Sequence, residues 1–226
     1  MAAVAAGVPG LTARLALDER LAPLVLASAS PRRAALLAAA GLAFGQAAVD
    51  VDETLRPGEP VADAALRLAR DKARAAASGR RAGSVLAGDT LVALEGRALG
   101  KPADARAARA MLAALSGRTH EVFSAAAVIR LRDGREASGV ARARVAFAAL
   151  DEDALTAYLA GGEWEGKAGA YAIQGRAARF ARVVEGEADA RTSGASRWSS
   201  ASRGAVRPGT PAATAATCPP RARPAA

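Results

Sequence analysis

Every leucine, isoleucine, methionine and phenylalanine of this 226-residue chain lies before Glu187. That asymmetry decides where a hydrophobic core can be built. The first 186 residues hold all 22 leucines, whereas residues 187–226 hold five of the 11 prolines and are otherwise dominated by Ala, Arg, Ser and Gly. A segment of that composition cannot bury enough apolar surface to offset its ordering entropy, so residues 187–226 are expected to be a disordered tail. Residues 1–22 are Ala-rich but carry no basic leader ahead of an apolar run, so they read as a loose extension rather than a secretory signal. Residues 23–186 remain as one folding unit of ordinary domain size.

Within that unit strand and helix patterns alternate. Leu24 to Ala27 is a short apolar strand, and Ser30-Pro31 marks a helix start that Gly41 stops. Phe44 to Val51 reads as a second strand, and Pro60 opens a helix to about Ala77. Ser84 to Leu94 is an apolar strand interrupted at Gly88-Asp89-Thr90, with a tight turn at Glu95-Gly96. A helix over Asp104–Leu115 and a hairpin of Thr119–Leu131 and Glu136–Leu150 about Asp133-Gly134 follow. A helix over Asp151–Ala160, a glycine-rich loop and a strand before Glu185 complete the unit. This is an α/β domain with a mixed sheet. With aromatics at 4%, its core must be made of Leu, Val and Ala.

Composition also narrows the chemistry. One Cys, Cys218, excludes a disulfide framework, and one His, His120, excludes a multi-histidine metal site. A bound metal would therefore rest on carboxylates, which favours magnesium or manganese over zinc. The longest uncharged stretch around the first motif, Ala34 to Val49, is shorter than the roughly 18–20 apolar residues that span a bilayer, so a cytoplasmic protein is expected. The net charge is +9, of which the tail supplies +4. The rest suits an anionic substrate but is not the dense basic stripe of a nucleic-acid binder, and aromatics for base stacking are few.

Several residues resist a purely structural reading. In Ser28-Ala29-Ser30-Pro31-Arg32-Arg33, two arginines occupy the first turn of a helix, where the macrodipole disfavours cations. Either the helix start is simply solvated, or an anion docks on its free N–H groups between serines and arginines. Lys72 falls on the apolar stripe Val61, Ala65, Leu68, Ala76, while Asp63, Arg67, Arg70 and Arg74 decorate the other sides of that helix. It either snorkels outward or projects into a polar cavity. Asp89 in an apolar strand must be hydrogen-bonded, ion-paired, metal-bound or capping a turn. Gly88 beside it permits a bulge or a close approach of another group. Gly100-Lys101-Pro102 resembles the end of a Walker loop, but the glycine spacing is wrong and Pro102 stands where Ser or Thr is required. Asp52-Glu53, the segment Lys167–Tyr171 and Gln174-Gly175 are weak signals singly, and His120 reads as an ordinary strand residue.

In order, the stretches LASASPRRAALLAAAGLAF, VDETLRPGEP, RLARDKARA, VLAGDTLVALEGRALGKP, ARAMLAALSGRTHEVFSAAAV and KAGAYAIQGRAARF resemble the Maf family of nucleoside triphosphate pyrophosphatases. The resemblance runs from about Leu24 to Gly186. It implies a twisted mixed sheet flanked by helices, with two lobes around a central cleft, as in the inosine-triphosphatase-like fold. It also implies hydrolysis of a nucleoside triphosphate to the monophosphate and pyrophosphate with a divalent cation, Mg2+ or Mn2+. By match, Asp89 is the proton acceptor, Ser28, Ser30, Arg32, Arg33, Lys72 and Lys101 hold the substrate, and Glu53 with Asp89 faces the metal. Branches of the family differ at three positions. Arg32, Thr90 and Gln174 match the branch acting on dTTP and UTP, whereas the branch acting on 7-methyl-GTP carries Trp, Gln and Glu there. A Gln amide can both donate to and accept from a pyrimidine edge. The family has also been linked to septum formation, so a regulatory protein acting through partners is the second reading, and a homodimer is compatible with either.

The resemblance stops where the tail begins. The family continues with a strand reading roughly EGSYxNVVGLP and a closing helix, whereas here Val183-Val184-Glu185-Gly186 runs into Glu187-Ala188-Asp189. Such a tail is what a GC-rich gene yields when read out of frame, so a frameshift near codon 187 is expected. Single large-to-small core changes cost about 2–5 kcal/mol against a total stability of about 5–15 kcal/mol. Loss of a core strand and helix should therefore leave the chain poorly stable or inactive. Translating the neighbouring frames from codon 187 should reveal an NVVGLP-like stretch; its absence, or a cooperative melt with full turnover by the 226-residue chain, removes this reading.

Overall fold

Strand β1 (Leu24–Ala27) leads through helix α1 (Pro31–Ala39) to β2 (Phe44–Gln46), and a long loop then enters helix α2 (Val61–Ala77) and β3 (Ser84–Leu94). Strand β4 (Arg97–Leu99), helix α3 (Ala105–Leu115), strands β5 (Thr119–Arg130) and β6 (Arg135–Phe147), helix α4 (Glu152–Ala160) and β7 (Ala181–Glu185) follow. The computed structural model describes residues 23–186, so the expected extension over 1–22, the expected tail over 187–226 and Cys218 lie outside the described residues.

The seven strands make one mixed sheet in the order β2-β1-β3-β5-β6-β7, with β4 hydrogen-bonded to β3. The pairs β1–β2 and β1–β3 are parallel, and the others are antiparallel. The chain leaves β1 toward β2 on one side and returns through α2 to β3 on the other. That reversal creates a crevice beyond the C-terminal end of β1, where α/β sheets bind ligands. Strand β3 is central to it. One edge pairs with β5 without a break from Ser84 to Ala93, so the bulge allowed at Gly88 does not occur. The opposite edge pairs with β1 only over Ser84–Ala87 and with β4 only over Val92–Leu94, which leaves Gly88–Leu91 unzipped between them.

Side-chain alternation on β3 feeds two cores on opposite faces. Val85, Ala87 and Leu91 join Ala125, Ala127 and Ile129 of β5 under the small-residue face of α2, formed by Ala64, Ala65, Leu68, Ala69, Ala73 and Ala76. Val92 and Leu94 turn the other way and meet Val122, Val145, Phe147, Leu112, Leu115 and Leu155 beneath α3 and α4. The scarce aromatics concentrate in this second core. Phe147 lies edge-on to Tyr171 and Phe180, with ring centroids 4.8 and 5.2 Å apart, and Tyr158 lies edge-on to Phe180. His120 is buried there too, sharing a 2.6 Å hydrogen bond with the Tyr171 hydroxyl.

Two expectations need correction, and three elements are new. The strand expected over Phe44–Val51 ends at Gln46, because Ala47 N–H makes the last bond to Leu26 and β1 offers nothing beyond Ala27. The second arm of the hairpin ends at Phe147 rather than Leu150, whose N–H instead donates to the Ser116 hydroxyl at 2.7 Å. Strand β4 and two short 3-10 turns, Ala168–Ala170 and Arg176–Arg179, were not anticipated. The turn before β4 has Glu95 and Gly96 at φ of 51° and 77°, the signs that a two-residue primed hairpin turn requires. Among the described residues no helix is long and apolar enough to cross a membrane.

Leu68 is 1% exposed at the centre of the α2 core. Leu68→Ala is expected to lose about 2–5 kcal/mol of unfolding free energy, since the alanines around it cannot collapse into the void; urea denaturation measures it.

Candidate active site

Asp89 belongs to the odd face of β3, which places its carboxylate under α2 on the unzipped stretch of strand. Only 10% of its side-chain surface is exposed, so a charge there needs a partner. Lys72 supplies it. The α2 stripe that packs Ala65, Leu68 and Ala76 on the sheet carries the lysine inward, and its ammonium hydrogen-bonds Asp89 Oδ1. The same ammonium lies 2.6 Å from Glu53 Oε1, and Lys101 Nζ reaches Glu53 Oε2 at 3.0 Å. Lys72 thus projects into the cleft and does not snorkel, and Asp89 is ion-paired rather than capping a turn. Burial pushes the Glu53 carboxyl upward, but hydrogen bonds and charge from Lys72 and Lys101 outweigh it and hold the group below the usual carboxylate range.

The arginines of α1 reach the cleft from the end of β1. Ser30 occupies the N-cap position without a side-chain capping bond, and the first turn holds no acidic residue, so backbone donors there face no internal anion. Arg33 folds across β3, donating from Nη1 to the Ser28 hydroxyl at 2.9 Å and from Nη2 to the Thr90 hydroxyl at 3.1 Å. Gly88 makes this crossing possible: a Cβ there would sit 3.2 Å from Arg33 Nε and 3.0 Å from the Ala125 carbonyl oxygen. Desolvation lowers the Arg33 pKa from its ordinary value, while the charges of Asp89 and Glu53 pull it back up. Ser28 is buried; its hydroxyl accepts from Arg33 and from the Ser30 N–H, and its carbonyl accepts from Gln46 Nε2 at 2.7 Å. Arg32 points elsewhere in the same cleft and donates from Nη1 to Gln174 Oε1 at 2.8 Å.

The residues expected to hold substrate or metal gather about this cleft, whereas His120, read as an ordinary strand residue, is buried against Tyr171. Asp89, Lys72, Glu53 and Lys101 form a chain of alternating charge. Arg33 ties Ser28 to Thr90, Arg32 ties α1 to Gln174, and Ser30 stands at the helix start between them.

The supporting residues were not foreseen. Arg67 does not simply decorate α2; it grips the loop over residues 47–60. Its Nε and Nη2 each lie 2.8 Å from a Glu59 carboxylate oxygen, and Nη2 also donates to the Thr54 carbonyl at 3.1 Å. Glu59 follows Glu53 by six positions in an irregular segment, and no helical or strand period connects it to Arg67. Glu163 likewise accepts the Arg176 N–H at 2.7 Å, and its carboxylate lies so close to Gly175 that a Cβ there would fall 1.3 Å from Oε1. This packing fixes the turn that presents Gln174. Gln46 was read only as part of a strand.

Among the described residues no group of three or more His, Cys, Asp or Glu side chains is gathered to hold a metal. Two carboxylates, Glu53 and Asp89, do converge on one ammonium. An all-oxygen donor set of that size fits Mg2+ or Mn2+, which keep water and share coordination with substrate phosphates. The described cations of this cleft, Arg32, Arg33, Lys72 and Lys101, exceed the two carboxylates by two charges, fewer than a triphosphate carries, and a divalent ion would close the balance.

A cation-lined crevice with a shielded carboxylate, set at the reversal point of an α/β sheet, is the architecture of a phosphate-handling protein. The Maf-like protein family matches residues 23–190, and the chain belongs to that family. It is 49% identical over 164 residues to the dTTP/UTP pyrophosphatase of Novosphingobium aromaticivorans, covering 72% of this chain and 81% of that one. It is 48% identical over 167 residues to the dTTP/UTP pyrophosphatase of Moorella thermoacetica, covering 74% and 86%. Over 165 residues it is 50% identical to the dTTP/UTP pyrophosphatase of Anaeromyxobacter dehalogenans strain 2CP-1, covering 72% and 83%.

The hydrogen bonds from Arg67 are the main reason that Glu59 titrates at about 2 rather than at 4.5. A depressed carboxylate contributes stability above its ordinary pKa and loses that contribution as pH falls through the folded value. The clamp should therefore be intact at pH 5 and above and weaken between about 4.5 and 2. NMR titration of the Glu59 side-chain carboxyl carbon checks this; a midpoint near 4.5 contradicts it.

Proposed function

We propose that this protein hydrolyses nucleoside triphosphates, dTTP and UTP above all, to the monophosphate and pyrophosphate. The observation that carries the reading is the Asp89–Lys72–Glu53–Lys101 chain on the unzipped edge of β3, facing the arginines of α1. The names of the relatives supply the substrate class.

In this reading the triphosphate lies between the start of α1 and the two lysines. Arg33 and the first-turn N–H groups meet one end, while Lys72 and Lys101 turn from Glu53 toward phosphoryl oxygens. Asp89 aligns a water for attack on the α-phosphorus and accepts its proton. The P–O bond to the β-phosphate breaks, and pyrophosphate leaves with the bond's electron pair. Lys72, already hydrogen-bonded to Asp89, keeps that carboxylate oriented and offsets negative charge growing on the equatorial oxygens. A divalent cation held by Glu53 and Asp89 would supply further charge neutralisation for the phosphates. Arg32 and Gln174, bonded to each other, would frame the nucleobase, with the Gln amide read against a pyrimidine carbonyl and imide edge. A cytoplasmic location, where free nucleotides are abundant, fits this substrate.

If the 226-residue chain melts cooperatively, against the expectation drawn from its tail, it should release pyrophosphate from dTTP and UTP faster than from GTP or ATP. Asp89→Asn should lower kcat by roughly 100-fold or more with KM changed only a few-fold, as for loss of a positioned general base. Folded wild-type protein that releases no pyrophosphate from any nucleotide would refute the assignment. If Asp89→Asn abolished release yet left a septation phenotype of the gene intact, the reading as a regulator acting through partners would be favoured.

A further inference from the structure

Glu53 is carried by the loop over residues 47–60, the longest segment of the site outside any strand or helix. We infer that Arg67 and Glu59 are positioning residues: they form a clamp that holds the Glu53 carboxylate in register with Lys72. This deepens the pyrophosphatase reading and rests on it.

The geometry is specific. The Arg67 guanidinium meets the Glu59 carboxylate as a two-pronged fork at 2.8 Å on each side, and its Nη2 also donates to the Thr54 carbonyl, the residue next to Glu53. Nη1 faces Asp71 Oδ2 at 3.7 Å, one turn further along α2. One planar group therefore binds the start and the end of the loop segment 54–59 and braces itself on its own helix. The segment is closed locally as well. The Asp52 carboxylate accepts the Thr54 N–H at 2.9 Å, and the Glu59 N–H donates to the Arg56 carbonyl at 3.1 Å. The side chains of Arg67 and Glu59 are only 15% and 13% exposed, unlike the surface ion pairs elsewhere on the molecule.

The consequence follows from α2 being rigid. Arg67 and Lys72 stand five residues apart on one helix, so fixing the loop to Arg67 fixes the Glu53 carboxylate relative to the Lys72 ammonium, 2.6 Å away. Arg67 makes no contact with Lys72, Asp89 or Lys101 among the bonds of the site, so its influence runs through the loop. Without the fork, Glu53 keeps its chemistry but loses its place.

The test measures pyrophosphate release from dTTP by the full chain, for wild type, Arg67→Ala, Glu53→Gln and the double variant, with hydrogen exchange of the segment 50–59 as a second readout. Arg67→Ala is expected to lower kcat roughly 10- to 100-fold with KM within a few-fold, the usual cost of losing an outer support of a binding group. Exchange in 50–59 should rise while β3 stays protected. In the Glu53→Gln background the Arg67→Ala change should have almost no further effect, because the group it positions is already gone. Unchanged kcat in Arg67→Ala, or losses that multiply fully in the double variant, would overturn the inference. If Arg67→Ala does not fold, Glu59→Gln carries the same expectations and the same refutations. A folded wild type without turnover defeats the pyrophosphatase reading itself, a result distinct from wild-type turnover with an indifferent Arg67.

Discussion

One ammonium group organises this protein. Lys72 sits between Asp89 on the sheet and Glu53 on a loop, and the shielded pair of Lys72 and Asp89 would be costly in that place if either stood alone. A carboxylate as shielded as Asp89 requires a counter-charge from an element that cannot drift, and α2 provides one because its alanine face lies flat on β3 and β5. Removing one partner of a shielded pair leaves an uncompensated charge, at a cost of about 3–5 kcal/mol. The same pair therefore also fixes how close the helix and the sheet must come.

The crevice exists because β3 changes partners. Its edge is sealed by β1 as far as Ala87 and again by β4 from Val92, and the intervening residues are Gly88, Asp89, Thr90 and Leu91. These residues also stand where the core changes faces, with Leu91 in one cluster and Val92 in the other. A polar pair in mid-strand is tolerated there since neither core has to enclose it. Gly88 adds the last requirement, a strip of bare backbone over which the Arg33 guanidinium lies.

Much of this was legible in the sequence. Asp89 and Lys72 stood out as charges on apolar patterns, and the arginines of α1 as cations at the wrong end of a helix dipole; all proved to have partners across the cleft. Glu53, Lys101 and Gln174 carried no such signal. They lie in irregular segments or turns, and only the order of the motifs brought them forward. Arg67, Glu59 and Glu163 could not be read at all, since their partners are set by how a loop folds back rather than by any period. The strand expected over Phe44–Val51 fell short for a similar reason: Ala47–Val51 is mostly apolar, but β1 is too short to pair with it.

The Arg32–Gln174 hydrogen bond joins positions 142 residues apart. In the function proposed above, the groups assigned to the phosphates are complete once the chain has been made as far as Lys101, whereas those assigned to the base come together only after α4 and the following turns have formed. During synthesis on a ribosome, an emerging polypeptide thus holds all four cations of the cleft long before Arg32 can meet Gln174. On that reading, the contact that would select the base is the last part of the site to form.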